Sequence, residues 1–587
     1  MKAKRLIYII AILAVIIHSC EPVEFGNNFL EKEPSVDVTA DTIFNSLELS
    51  ERYLWQGYTT LPYGLQTGWN AKANKMGMDL LASLTDLHQS FLAWGGVNRH
   101  YYSGQYTAAI ENDASNTKYH YTKEDSWNGI RIGWNIIENV DRVPDASAEY
   151  KEQMKAEAKM IIAIHYTDMF RHYGGLPWVD HAYTPTESTV LPRGTSKETM
   201  ENIVALLDEA IPVLPLTVQD LSNWDGRFTK AAAMGLKARV LLFGASPLFN
   251  NAQPYMAGEA SDKFMTWHGG YDANLWTRAA QAAKEALDVT ESGGYDLVNT
   301  GNPRQDFQDA YYQRGNGEIL ISTRTRFRST GYWGTGYYFY QACGNYGVAL
   351  PTKGYVDMFP MADGTPIDAA GSGWDPNDPW ANRDPRLYET VLVNGDNYRG
   401  RPAELWIGGR ERRNLGTGKT KSGFGVRKFY LEGDNATSVQ SIVQWPYLRL
   451  AEIYLSYAEA INEANGAPTA EAYAAVNKVR NRVGLNDLTP GLSKEAFREA
   501  VLTERALEFG FEEVRWFDVI RWKMEDAFTK TIEGVNTTLE SGVLSYETFE
   551  LPERYWKNNF SPKYYLSAFP PDEINKGYGL VQNPGWE

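Results

Sequence analysis

YLRLAEIYLSYAEAINEAN (447–465), a Gly466-Ala467-Pro468 break and TAEAYAAVNKVRNR (469–482) read as two helices folded back on each other. Apolar residues recur at helical spacing in both segments. Thr469 caps the second helix and Glu471 complements its dipole. A further helix is expected over 493–509, opened by Ser493. Upstream, residues 151–171 place Met154, Ala158, Ile161, Ile162, His165, Met169 and Phe170 on one face, and Gly174-Gly175 stops that helix. Thr195 and Glu198 form a capping box ahead of Ile203, Leu206, Leu207 and Ala210. TKAAAMGLKARVLLF (229–243) is a helix of small residues that lets a neighbour approach closely.

Helix pairs of about 34 residues with alanines at the crossings resemble tetratricopeptide units. The fold class expected is therefore all-α, a scaffold of stacked helical hairpins over 40–60, 125–290 and 445–525. Between the hairpins the chain changes character. Residues 61–120 and 300–440 are rich in Gly, Pro, Asn, Asp and aromatics, as in GYWGTGYYFYQACGNYG (331–347). They carry no helical period and exceed ordinary loop lengths, which marks them as functional excursions packed by their own rings. Residues 526–587 read as an irregular C-terminal segment.

Composition narrows the function. The 587 residues are 43% hydrophobic and 22% charged, enough to bury a large core. A net charge of −16 disfavours a nucleic-acid partner, since phosphate backbones repel it. Two cysteines, Cys20 and Cys343, exclude a disulfide framework and a Cys-rich metal site. Aromatics are abundant, with 18 Trp, 36 Tyr and 23 Phe.

Lys2, Lys4 and Arg5 precede an apolar run from Leu6 to Ile17, then His18-Ser19-Cys20. As a helix that run spans about 18 Å, short of the ~30 Å hydrocarbon core, so residues 1–19 read as an export signal. Cys20 follows as in a bacterial lipobox and is expected to carry lipid. Residues 20–587 are expected to form one domain on that tether.

Catalytic signatures are weak. GTGKT (416–420) lacks the first glycine of a phosphate loop, because Arg413 stands there. His165 and His172 have no metal-binding companions in the sequence, and Cys343 has no activating partner. The carboxylates Glu504, Glu508, Glu512, Glu513 and Asp518 are interleaved with Arg505, Arg515 and Arg521. Arginines hold carboxylates ionised, the reverse of what a glycosidic general acid needs, so an ion-pair lattice is the expectation there.

RLAEIYLSYAEAINE (449–463), AVNKVRNRVGL (475–485), ERALEFGFEEVRWFDVIRWK (504–523) and SAFPPDEINKGYGLVQNPGW (567–586) resemble the SusD/RagB family of outer-membrane nutrient-binding lipoproteins. So do FLEKEPSVDVTADTIF (29–44), AEAKMIIAIHYTDMFRHYGGLPWVD (156–180), GRFTKAAAMGLKARVLLFGASPLF (226–249) and PTKGYVDMFPMADGTPI (351–367), in family order. The resemblance implies a helical scaffold with a loop-rich half, display at the cell surface, and a TonB-dependent SusC-like outer-membrane transporter as partner. It implies capture of oligosaccharide without cleavage and no cofactor, with a structural calcium left open. A peptide-binding member of the same family is the alternative, and a lipid-anchored glycoside hydrolase the reading from outside it. Asn583-Pro584-Gly585-Trp586 is expected to pin the C-terminal segment, and Glu452 with Arg449 to orient paired helices.

By order along the chain, the ligand arc that the resemblance implies falls near residues 76–102 and 324–346. Flat rings stack on the C–H faces of sugars and lose little entropy on binding, while planar polar groups meet the hydroxyls. The ligand-contact residues expected are Asp79, Trp94, Asn98 and Tyr101 from the first region. From the second they are Arg326, Tyr332, Trp333, Tyr337 and Tyr338. Trp333, flanked by glycine, has few local packing partners and is the preferred contact.

Overall fold

The local capping signals place the helices. The computed structural model describes residues 40–66, 75–122, 125–184, 186–188, 190–324, 338–412, 420–429, 431–432 and 444–587. Six helices, α1 (Leu47–Tyr58), α2 (Ser126–Asn139), α3 (Ala148–Tyr173), α4 (Ser196–Ala210), α5 (Lys230–Ala245) and α6 (Asn274–Ser292), pack in succession, each against the next. After α7 (Pro303–Tyr312) the row continues with α8 (Leu450–Asn465) against α6, then α9 (Ala470–Arg482) and α10 (Lys494–Glu508) against α8. α11 (Val514–Arg521) closes it against α10. This is the expected all-α scaffold of stacked hairpins.

Three caps are those the sequence announces, Thr195, Thr469 and Ser493, while Ser147 opens α3 at Ala148, ahead of the helix expected from 151. Ser147, Thr195, Thr469 and Ser493 each accept a backbone N–H from the first turn, and Thr195 and Glu198 complete a capping box. α8 ends at Gly466 with φ of 76°, a left-handed position that favours glycine. α5 is buried nearly all round because its small residues allow close contact. A Cβ on Gly235 would come within 3.0 Å of Leu448.

Strands are short. β1 (His88–Gln89) pairs antiparallel with β3 (Leu350–Pro351), and β2 (Ile319–Arg324) with β4 (Gln444–Arg449). β4 corrects the helix expected from residue 447, since Tyr447–Arg449 are extended and α8 starts only at Leu450. A second correction falls in the segment read as irregular. β5 (Glu533–Glu540) and β6 (Val543–Glu550) form an antiparallel hairpin whose turn residues Ser541 and Gly542 have φ of 49° and 83°. The 300–440 excursion does pack on its own rings, with Tyr355, Phe359, Trp380 and Phe424 in a satellite core.

The carboxylate–arginine lattice is present, with most partners drawn from distant segments. Glu508 accepts from Arg482 (2.6 Å), Arg449 (2.9 Å) and Arg386 (3.1 Å), all fully buried. Glu504 is held by Arg386 and Arg480, Glu512 by Arg449 and Lys428, and Asp518 by Arg505 and Arg521. Arg515 reaches instead to Asp86 at 2.9 Å. Burial works against ionisation of Glu508, but its guanidinium neighbours prevail and hold it well below the usual carboxylate range. Asp518 is lowered in the same way. Glu452 and Arg449 do orient helices, though not through each other. Glu452 binds Arg239 of α5 at 2.6 Å, while Arg449 binds Glu318, Glu508 and Glu512.

The 583–586 turn pins its segment as expected. The Asn583 amide donates to the carbonyls of Tyr173 (3.1 Å) and Ser567 (2.7 Å) and accepts from Arg193 (2.8 Å). The Trp586 indole donates to Lys563 and Leu566.

Candidate functional site

The two regions expected to share a ligand are zipped together. Beyond the β1–β3 pair, the Phe91 N–H donates to the Gly347 carbonyl at 2.9 Å, so residues 88–102 lie beside 338–351. Trp94 then meets Tyr346 edge to face, with ring centroids 5.4 Å apart and planes at 80°. Trp94 is 52% exposed, more than any other described tryptophan, and Tyr346 is partly so. Phe91, half-buried, lies below the Lys421 ammonium at 5.8 Å.

Backbone contact holds this ledge. A Cβ on Gly96 would fall 1.4 Å from the Met76 carbonyl oxygen, so only glycine lets the two backbone turns touch there. Met76 and Met78 take positive φ, 48° and 83°, strain of roughly 1–3 kcal/mol each that the surrounding packing sustains. Single π-helical turns follow on both sides, Val97–Tyr102 and Tyr340–Asn345. Their solvent sides carry Asn98 and Arg99 on one and Gln341 and Asn345 on the other. The Asn98 amide donates to the Ser90 carbonyl at 2.8 Å, which fixes its plane, and Asn345 donates to Gln341 at 2.7 Å. The result is a shallow shelf of rings bordered by amides and two cations.

The expected contact residues divide three ways. Trp94 and Asn98 stand on the shelf. Asp79, Tyr101 and Tyr338 do not, being 1%, 2% and 8% exposed. Asp79 accepts from the Ser83 hydroxyl, from Ser90 at 2.6 Å and from the Leu80 N–H at 3.1 Å. It braces the loop under Phe91 instead of facing a ligand, and burial, outweighing these bonds, raises its pKa to about 6. Tyr101 stacks on Tyr106 at 4.0 Å in the interior. Arg326, Tyr332, Trp333 and Tyr337 lie outside the described residues, as do Cys20 and residues 413–419. Tyr346, Gln341 and Asn345 were not anticipated. The Asn345-Tyr346-Gly347 turn, an aromatic before glycine, is the signal that could have singled out Tyr346.

Other reactive groups are accounted for structurally. His165 meets the Thr60 hydroxyl at 2.8 Å, and burial lowers its pKa to about 4. His172 stacks on Tyr119, and burial raises the Cys343 thiol well above its ordinary value. Among the described residues, no group of three or more His, Cys, Asp or Glu could hold a metal ion, and no helix is long and apolar enough to cross a membrane.

Two family models match, the SusD family over residues 302–586 and a model described as starch-binding associating with outer membrane over 28–242. The chain is SusD/RagB-like in both stretches. Among SusD-like relatives, protein P25 of Formosa agariphila is 22% identical over 484 residues, 78% of each chain. A SusD-like protein of Bacteroides fragilis superposes with a TM-score of 0.70 at 23% identity, covering 93% of this chain and 99% of that one. A SusD-like carbohydrate binding protein of the same organism superposes with a TM-score of 0.69 at 20% identity, covering 91% and 99%. In this SusD-like chain the segment 504–523 supplies the carboxylates at the centre of the lattice, whereas the Trp94 shelf rises from the excursions between hairpins.

Proposed function

We propose that this chain is a cell-surface lipoprotein, tethered through Cys20, that captures oligosaccharide on the Trp94–Tyr346 shelf and delivers it to a TonB-dependent outer-membrane transporter. The observation that carries the reading is the exposed, glycine-braced Trp94 set against Tyr346 beside fixed amides. Trp94 can lie on a sugar ring, while Asn98, Gln341 and Asn345 can meet hydroxyls. Likeness to the SusD family supports the reading, as does the relative in Bacteroides fragilis described as a carbohydrate binding protein. Capture proceeds without cleavage, because the richest carboxylate cluster is locked to arginines in the interior. No cofactor enters the proposal. A shallow shelf leaves much of the ligand hydrated, which fits weak to moderate affinity.

Native gels cast with starch, laminarin, xylan, galactomannan or alginate test it. Wild-type protein should be retarded by at least one, and Trp94→Ala should weaken retention about tenfold with unfolding free energy changed by less than about 0.5 kcal/mol. Trp333→Ala, the contact preferred from sequence, belongs in the same gels. Retention by none, alongside saturable peptide binding, would favour the peptide reading.

A further inference from the structure

A second aromatic cleft opens where α1 ends, on elements other than those of the shelf. It encloses about 340 Å³ between Trp55 and Thr59 of the α1 terminus, the 223–227 turn and the end of β2 at 322–324. Trp224 stacks on Trp55, with ring centroids 5.5 Å apart and planes at 26°, yet stays 39% exposed at the mouth. The turn that presents it is stiff. The Asp220 carboxylate accepts from the Ser222 and Asn223 N–H groups (3.2 and 3.3 Å) and from the Asn223 amide (2.7 Å).

Arg227 lies close to both rings, its guanidinium carbon 5.1 Å from the Trp55 centroid and 5.4 Å from that of Trp224. It is anchored from behind by Glu157, which also accepts the Tyr58 hydroxyl at 2.6 Å. Across the cleft Asp225 accepts from Arg324 at 2.6 Å. Both arginines facing the space therefore have a carboxylate already. The cleft offers flat indole surface and planar N–H groups with charge largely cancelled. That chemistry suits the C–H face and hydroxyls of a neutral pyranose and does not suit a uronate or a phosphate. Its volume sits at the small end of ligand sites, enough for a short stretch of sugar.

We propose that the Trp55–Trp224 cleft is a second carbohydrate-contact site, specific for neutral sugar units, so that one polysaccharide engages the protein at two places. The inference rests on the glycan reading above. Two contacts on one polymer raise retention through effective concentration without requiring either to be strong.

The gels already described separate the possibilities. With a neutral polysaccharide that retards the wild type, Trp224→Ala should reduce retention about three- to tenfold, the equivalent of one lost aromatic contact. Its melting temperature should be unchanged. Hydroxyl-radical footprinting of the unaltered protein gives a readout independent of any variant's folding. Oxidation at Trp55 and Trp224 should fall when that polysaccharide is added and stay constant with alginate. Full retention of Trp224→Ala, with oxidation of Trp224 unchanged by polysaccharide, overturns the second site while Trp94→Ala still tests the first. Protection by alginate alone overturns the neutral-sugar assignment. If no gel retards the wild type, the glycan reading fails and this inference falls with it.

Discussion

Asp79 shows how one side chain can serve a site it never touches. Its carboxyl is buried beneath the shelf, and burial raises its pKa from 3.8 to about 6. Between those values the folded protein holds a proton that the unfolded chain has released. Stability contributed by this group therefore falls as pH rises from about 4 to 6, by of order 3 kcal/mol. Asp79→Asn, whose amide oxygen can still accept from Ser83 and Leu80 while its NH2 donates to the Ser90 hydroxyl, should remove that dependence. Melting curves of the two proteins across pH 4–7 should diverge in favour of the variant as pH increases, and parallel curves would count against a protonated Asp79. Sequence could not distinguish this residue from Trp94, because an Asp in a Gly- and Asn-rich loop reads the same whether it turns inward or outward. Trp94 and Asn98 do face solvent, as their type and neighbourhood suggest. The inward turn of Asp79 and Tyr101 depends on Ser90, Tyr106 and the packing around them.

Among elements, those with local signals were the readable ones. Thr195, Thr469 and Ser493 specify helix starts through contacts within four residues, so α4, α9 and α10 begin where expected, whereas α3 starts at Ala148, ahead of the expected 151. Tyr447–Arg449 misled because its extended form depends on β2, whose register pairs Ile319 with Arg449 far along the chain. The β5–β6 hairpin is different, since the Ser541-Gly542 turn and the alternation around it are local signals within a segment that otherwise reads as irregular.

The lattice joining α9 and α10 to β4 makes its own prediction. Glu508→Gln would leave the guanidiniums of Arg386, Arg449 and Arg482 facing an uncharged amide in the interior. The cost should be about 3–5 kcal/mol in denaturant unfolding, and a loss below about 1 kcal/mol would show that the lattice is slack. Because the folded pKa of Glu508 is depressed, its contribution is fully present above the unfolded value and is lost as pH falls toward the folded one.

For the whole molecule, the scaffold and the shelf are held by different means. Helices rely on close packing of small residues and on ion pairs, the shelf on backbone contacts such as Gly96 on Met76, and the C-terminal segment on the clamp at 583–586 that ties it to the end of α3. Asn583→Ala would strip the carbonyls of Tyr173 and Ser567 and the Arg193 guanidinium of a partner. Unfolding free energy should drop by about 2–4 kcal/mol, read by thermal melting, and an unchanged melting temperature would show that the clamp is not under tension.

Arg193 gathers the carbonyls of Tyr173, Gly175 and Val581 together with the side chain of Asn583, which lies 390 positions further on. Tyr173 and Gly175 are already at hand when Arg193 is made, so during synthesis the guanidinium stays half-mated until Val581 and Asn583 arrive. A polypeptide built this way cannot close its fold around Arg193 until that distant stretch has been made.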